Sequence, residues 1–270
     1  MNAISRTALP SELLIRLRAE TPLVQCITNY VAMNVAANVV LAAGASPAMV
    51  HAAEEAGAFA GIAGAVTINI GTLSPYWLEG MRRAAVAARE SETPWVLDPV
   101  AHFATAFRRD AAAELLDLRP DIVRGNASEI LALAGAQSQG RGVDSQDPVD
   151  AAREAAESLA RTRACVVAIT GAEDFVTDGE RTARITGGSP LMPKVTALGC
   201  SLTCLIGAFA AISPRDCFAA TVAALACFAE AGETAHRHAE GPGSFSVAFL
   251  DALHALAPDS LDAETRVRWG

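Results

Sequence analysis

Short apolar, β-branched runs alternate along most of this chain with longer alanine-rich stretches of helical character, and that alternation leaves few folds open. A repeat of strand then helix yields a mostly parallel sheet covered by helices on both faces. Strands are expected over residues 23–27, 46–50, 65–70, 95–98, 122–124 and 164–170. Nearly all are too apolar to keep one face wet, as in a sheet buried on both sides. Helices are expected over 32–43, 75–90, 109–117, 128–134 and 149–162, the last led by Pro148 with a cap near Asp147. The segment 174–186, with Asp178-Gly179 between two strand-favouring runs, reads as a β-hairpin added to the sheet. Beyond it only helices are expected, over 200–211, 216–237 and 244–256, stacked on one sheet face.

With 270 residues, 51% of them hydrophobic and 19% charged, the chain can bury a large core without disulfides or metal. The polar stretch 137–147 is the one candidate linker, and the alternation continues on both sides of it. It therefore reads as a surface loop within a single domain spanning 1–270. The formal charge of −9 disfavours a broad nucleic-acid or anionic-membrane surface, so an anionic ligand would need a local positive site. The six cysteines lie mostly inside apolar segments, and a reducing, cytoplasmic location is expected. Residues 1–10 show no apolar core behind a basic stretch, so no signal peptide is expected. The apolar run 31–50 is interrupted by Asn34, Asn38, Gly44, Ser46 and Pro47, and reads as buried helix then strand rather than a membrane span.

The strongest local signal is Thr196-Ala197-Leu198-Gly199-Cys200-Ser201-Leu202-Thr203, small residues leading into a long apolar helix. A turn that opens a helix presents unpaired N–H groups and the positive end of the helix dipole, which suits a phosphate. Cys200 would sit at that mouth, its thiol acidified by the helix start. Tight helix packing around an ordinary cysteine explains the same residues. A second signal is Arg124-Gly125-Asn126-Ala127-Ser128-Glu129, following a strand, where ligands of open α/β sheets bind. Glu129 near Asn126 could hold Mg²⁺ directly or through water, with Arg124 countering phosphate charge. Equally, Asn126 or Ser128 could simply cap the next helix, with Glu129 placed for its dipole. Asp98-Pro99-Val100 and Thr170-Gly171-Ala172-Glu173-Asp174 end two further strands, so several groups able to meet a nucleotide or metal converge. There is no P-loop, no dinucleotide fingerprint and no nucleophile elbow. Cys200 and Cys204 lack a second pair at zinc-finger distance, and His236 with His238 reads as a solvated basic cluster at a helix end.

Taken with Pro22-Leu23-Val24-Gln25-Cys26-Ile27-Thr28-Asn29-Tyr30-Val31 and Gly44-Ala45-Ser46-Pro47-Ala48-Met49, these motifs in this order resemble the hydroxyethylthiazole kinases over almost the whole chain. The resemblance implies a ribokinase-like α/β three-layer sandwich that uses ATP with Mg²⁺ to phosphorylate the alcohol of 4-methyl-5-(2-hydroxyethyl)thiazole in thiamine salvage. It also implies a homotrimer with active sites between subunits. By position, Asn29, Met49, Ala197 and Gly199 would bind the thiazole alcohol, Arg124 and Thr170 would bind ATP, and Asp98 and Glu129 would organise the metal. Cys200 stands where the wider class has a catalytic aspartate. One departure concerns the turn before it: family members commonly carry Gly-Thr-Gly-Cys, and here Ala197 replaces the first glycine. A Cβ is tolerable there only if φ is negative. Rival readings are a ribokinase-like enzyme acting on another alcohol, an ATP-dependent dehydratase of the same fold, or a trimeric binding module without turnover.

Overall fold

The computed structural model describes residues 7–135, 148–263 and 265–270. The expected loop at 137–147, the helix cap near Asp147 and most of the segment 1–10 lie outside them. In chain order the main elements are α1 (Pro10–Glu20), β1 (Leu23–Ile27), α2 (Met33–Ala43), β2 (Ser46–Ala48), α3 (Ala56–Ala60), β3 (Ala65–Asn69), α4 (Pro75–Glu90) and β4 (Trp95–Asp98). They continue with α5 (Ala106–Asp117), β5 (Ile122–Asn126), α6 (Ala127–Gly135), α7 (Pro148–Arg163), β6 (Val166–Thr170), β7 (Asp174–Thr177) and β8 (Thr182–Ile185). Last come α8 (Leu198–Ile212), α9 (Cys217–His238), α10 (Pro242–His254) and β9 (Val267–Trp269).

The strands form one nine-stranded sheet in the order β2-β1-β3-β4-β5-β6-β7-β8-β9. Pairing is parallel from β2 through β6 and antiparallel from β6 through β9. Successive residues of the central strands point to opposite faces, as the pleat requires. Val96, Ile122 and Val166 join the core under α1, α2, α8, α9 and α10. Leu97, Val123 and Val167 join the core under α3 to α7. The three layers expected from the apolar alternation are therefore present. The helices start where side chains supply caps: Ser74 Oγ accepts from Trp77 N (3.2 Å) before Pro75, and Asp216 accepts from Ala219 N (3.2 Å). Helix α9 is long and apolar enough to cross a membrane, but most of it is buried inside the protein against α1, α8 and α10.

One expectation is corrected: the chain does not end in helices only. β9 returns to pair with β8, Ile185 opposite Val267, and closes the sheet edge. A strand of three residues, with Trp269 largely exposed, carries too little apolar pattern to be seen in sequence. Helices α1 and α3 were likewise not foreseen.

Two features of the topology place the site. The chain leaves β1 through α2 on one face, pairs β2 outside β1, then returns through α3 on the other face to pair β3 on β1's inner side. Such a switch in direction opens a crevice above the carboxyl ends of β1 and β3. Helix α8 then lies across β1, β3 and β4. Gly207 permits this close approach, since a Cβ there would come within 2.3 Å of Thr67 Cγ2. Thr67 is buried in β3, with its hydroxyl 3.4 Å from Cys204 Sγ. In Gly207→Ala, the helix-propensity gain of up to about 1 kcal/mol is opposed by overpacking of about 1–3 kcal/mol. The expected outcome is a lower urea midpoint, with part of the loss recovered in the double variant that adds Thr67→Ala. An unchanged or higher midpoint in the single variant would show that α8 stands further from β3.

Candidate active site

The site gathers at the carboxyl ends of β1, β3, β4, β5 and β6 and at the start of α8. Asp98 closes β4 and is fully buried at 0% exposure. Its Oδ2 accepts from Asn69 Nδ2 (2.7 Å), Thr203 Oγ1 (2.7 Å) and, longer, Arg124 Nη1 (3.5 Å). Its Oδ1 is buried without a hydrogen-bond partner among the described residues. Burial pushes this carboxyl's pKa up, and Arg124 and the two donors pull it partly back. Arg124, in β5, gives its other arm to Thr170 Oγ1 (2.6 Å) at the end of β6. The same guanidinium lies against the first turn of α8, where a Cβ on Gly199 would stand 3.2 Å from Arg124 Nη2. Gly199 thus lets a cation sit beside the positive end of a helix, an arrangement that favours an anion between them.

The sulfur of Cys200, in the same first turn, accepts from Asn29 Nδ2 (3.3 Å), and Asn29 Nδ2 also donates to Asn69 Oδ1 (2.9 Å). Cys200, Asn29, Asn69, Asp98 and Arg124 form one polar chain running from β1 to β5. The expected acidification of Cys200 is not found. Burial is the largest influence and raises its pKa, the Asp98 charge raises it further, and the amides of Asn29 and Asn69 with Arg124 only partly offset this. A half-buried thiol beside a carboxylate keeps its proton despite the helix dipole.

Of the two caps considered for the helix after β5, Asn126 or Ser128, Asn126 is the one present, and Glu129 joins it. Asn126 Oδ1 accepts from Glu129 N (2.9 Å) while Glu129 Oε2 accepts from Asn126 N (2.8 Å), a reciprocal cap on α6. Glu129 Oε1 also accepts from Ala101 N (2.9 Å), which holds the loop after Asp98 against the start of α6. Both carboxylate oxygens keep lone pairs for a further ligand. Asp98, Glu129 and Asn126 line one cavity, and their side-chain oxygens suit a hard cation that retains most of its waters.

Two adjoining cavities share Arg124, Asn126, Leu198 and Gly199. The smaller, about 300 Å³, is lined also by Asp98, Glu129, Ala197 and Cys200. The larger, about 770 Å³, runs past Thr170, Gly171 and Asp174 to the loop Gly187–Pro190 and Phe228. Met49, just beyond β2, lines neither cavity; it is half-buried against the core on the α2 and α8 to α10 side of the sheet. Asn69 and Thr203 take part in the polar chain but were not foreseen. Their signals were a lone Asn ending an apolar strand and a Thr one helical turn after Cys200.

Ala197 also departs from expectation. It has φ 66 and ψ 0, a left-handed N-cap with a Cβ present. The tight turn from the preceding loop into α8 imposes that conformation, which costs an L-residue about 1–2 kcal/mol. Ala197→Gly removes the clash at the expense of extra unfolded-state entropy. The variant should be more stable by about 1 kcal/mol in urea unfolding; a loss of stability would place Ala197 at negative φ.

Asp174 lines the larger cavity, and burial raises its pKa from 3.8 to about 6, offset in part by the Gly171 N–H and Arg124. A folded pKa above the unfolded one means the folded state holds this proton more tightly. Asp174 therefore adds stability below about pH 4, and that contribution is lost as pH rises through 6. Relative to the wild type, Asp174→Asn should gain about 1–3 kcal/mol between pH 4 and 7, read from urea midpoints across that range. A pH-independent difference would contradict the shift.

A mostly parallel sheet with a helix mouth, an arginine and buried carboxylates over its strand ends defines a small-molecule kinase of the ribokinase-like class. A ribokinase-like superfamily protein from Enterococcus faecalis shares the fold, with a TM-score of 0.62 at 11% identity over 92% of this chain and 95% of that one. The sequence profile of the hydroxyethylthiazole kinase family matches residues 14–259, and the chain belongs to that family. The hydroxyethylthiazole kinase of Rhizobium leguminosarum bv. trifolii is 67% identical over 263 residues, covering 97% of this chain and 98% of that protein. The solved hydroxyethylthiazole kinase protein from Pyrococcus horikoshii superposes with a TM-score of 0.90 at 39% identity, covering 97% of this chain and 98% of the other.

Proposed function

We propose that this chain, as a single kinase domain, transfers the γ-phosphoryl group of ATP to the hydroxyl of 4-methyl-5-(2-hydroxyethyl)thiazole in thiamine salvage. The observation that carries the site reading is the Arg124 guanidinium lying against the α8 N-terminus beside Asp98 and Cys200. The larger cavity, walled by Thr170 and the glycine-rich loop, suits the nucleotide, and the smaller one suits the thiazole alcohol beside Ala197, Gly199 and Cys200, with Asn29 behind the Cys200 sulfur. The γ-phosphate then crosses between them at Arg124 and Gly199. The alcohol oxygen forms its bond to the γ-phosphorus as the bond from that phosphorus to the β–γ bridging oxygen breaks; ADP leaves with the bridging oxygen and the hydroxyl proton passes to solvent. Asp98 and Glu129 would hold Mg²⁺ and its waters, which would neutralise charge on the phosphates.

Positioning and charge neutralisation supply most of the rate in such a transfer. Because Cys200 keeps its proton, its part is to hold the alcohol oxygen in line by a hydrogen bond rather than to act as a standing base. The enzyme is cytoplasmic and assembles as a homotrimer with active sites between subunits. Tyr30 (66% exposed) and Val31 (56% exposed), next to Asn29, support an interface at this end of the sheet. At that interface Met49 would reach the thiazole of a neighbouring subunit.

Release of ADP on adding the thiazole alcohol, with one phosphate ester formed per ADP, tests the activity; its absence would reject the reading. Cys200→Ala should lower kcat about tenfold, the worth of one neutral hydrogen bond, with KM for ATP unchanged. A fall of about 10³-fold or more would assign proton removal to the sulfur.

A further inference from the structure

The polar chain that joins the alcohol side of the site to its phosphate side passes through one residue that no motif singles out. Asn69 ends β3 and is 2% exposed. Its Oδ1 accepts from Gly71 N (2.9 Å) and from Asn29 Nδ2 (2.9 Å). Its Nδ2 donates to Asp98 Oδ2 (2.7 Å). A backbone N–H can only donate, so Gly71 forces the Asn69 oxygen to face it and the Asn69 nitrogen to face Asp98. The same logic fixes Asn29, whose Oδ1 accepts from Ala32 N (3.0 Å) and whose nitrogen must therefore point to Asn69 and Cys200. Two backbone donors thus set the polarity of the whole chain. Asn29 donates to the Cys200 sulfur from the protein side, which leaves the thiol hydrogen free to point into the cavity that Cys200 lines. On the other side, Asn69 and Thr203 hold one Asp98 oxygen and leave Oδ1 unengaged.

We infer that Asn69 is a positioning residue for phosphoryl transfer: it locks Cys200 and Asp98 in one frame, so that the alcohol oxygen and the γ-phosphate are aligned with each other rather than merely bound. The inference rests on the assignment of Asn29 and Cys200 to the alcohol. Topology explains why this residue falls to β3. The strand lies next to β1 on one side and β4 on the other, at the switch point, so its last side chain reaches both Asn29 and Asp98.

The test uses Asn69→Ala and Asn69→Asp in the full-length enzyme. The second keeps the volume and the two accepting contacts but loses the donors. Both should bind ATP and the thiazole alcohol with KM within about threefold of wild type while kcat falls about 100-fold, the effect of misplacing a reacting group by about 1 Å. Both should also release more ADP than they form thiazole phosphate, because a misaligned alcohol lets water take the phosphoryl group. Thr203→Val, which removes another Asp98 donor but no link to the alcohol side, should leave that ratio at one. A wild-type kcat with a ratio of one in both Asn69 variants overturns the inference. So does a parallel loss of kcat, both KM values and melting temperature, which would make Asn69 only a fold support. The underlying site assignment fails separately: Asn29→Ala and Cys200→Ala would then leave KM and kcat for the alcohol unchanged.

Discussion

The seating of α8 on the sheet is the constraint on which the site depends. A helix start is an anion site only if it points somewhere useful, and the direction of α8 is set by its contact with β1, β3 and β4 through Gly207 and Thr67. That contact brings the first turn of α8 over the strand ends that carry Asn29, Asn69 and Asp98. The left-handed Ala197 is the local cost of turning into a helix at that angle. A strained residue of this kind persists where the surrounding packing over-determines the backbone.

Electrostatics inside the site follow from burial. Asp98 loses solvent on every side and is compensated by Arg124, Asn69 and Thr203, so its charge is directed rather than screened. The same burial, with Asp98 nearby, keeps the Cys200 thiol protonated in spite of the helix start. A thiol that keeps its proton at this helix start is able to donate a hydrogen bond rather than to act as a standing base. Glu129 is tied by two backbone N–H groups, so it fixes the loop after Asp98 and the start of α6 whether or not a cation is bound.

Much of this was legible along the chain. The bounds of β1, α4 and β4 agree residue for residue with the sequence pattern, because β-branched and apolar runs bounded by Pro, Gly and caps report local preferences. Arg124, Thr170, Glu129, Asp98 and Cys200 were foreseen as candidates, since polar residues at strand ends stand out against apolar strands. Asn69 and Thr203 were missed: each reads locally as an ordinary residue, a strand terminus and an interior helix position. β9 was missed because its pairing partner β8 lies about 80 residues earlier, and a three-residue strand has no pattern of its own.

The sequence by itself determined the alternation of strand and helix, the two-sided burial of the sheet, and the residue types able to handle a phosphate. Those are properties of short segments, set by side-chain hydrophobicity and backbone preference. Only the tertiary structure decided the sign of φ at Ala197, the protonated state of Cys200 and the polarity of the Asn29 and Asn69 amides. Each of these depends on which groups from distant segments come within hydrogen-bonding distance and on how much solvent they exclude, and neither is written in any stretch of neighbouring residues.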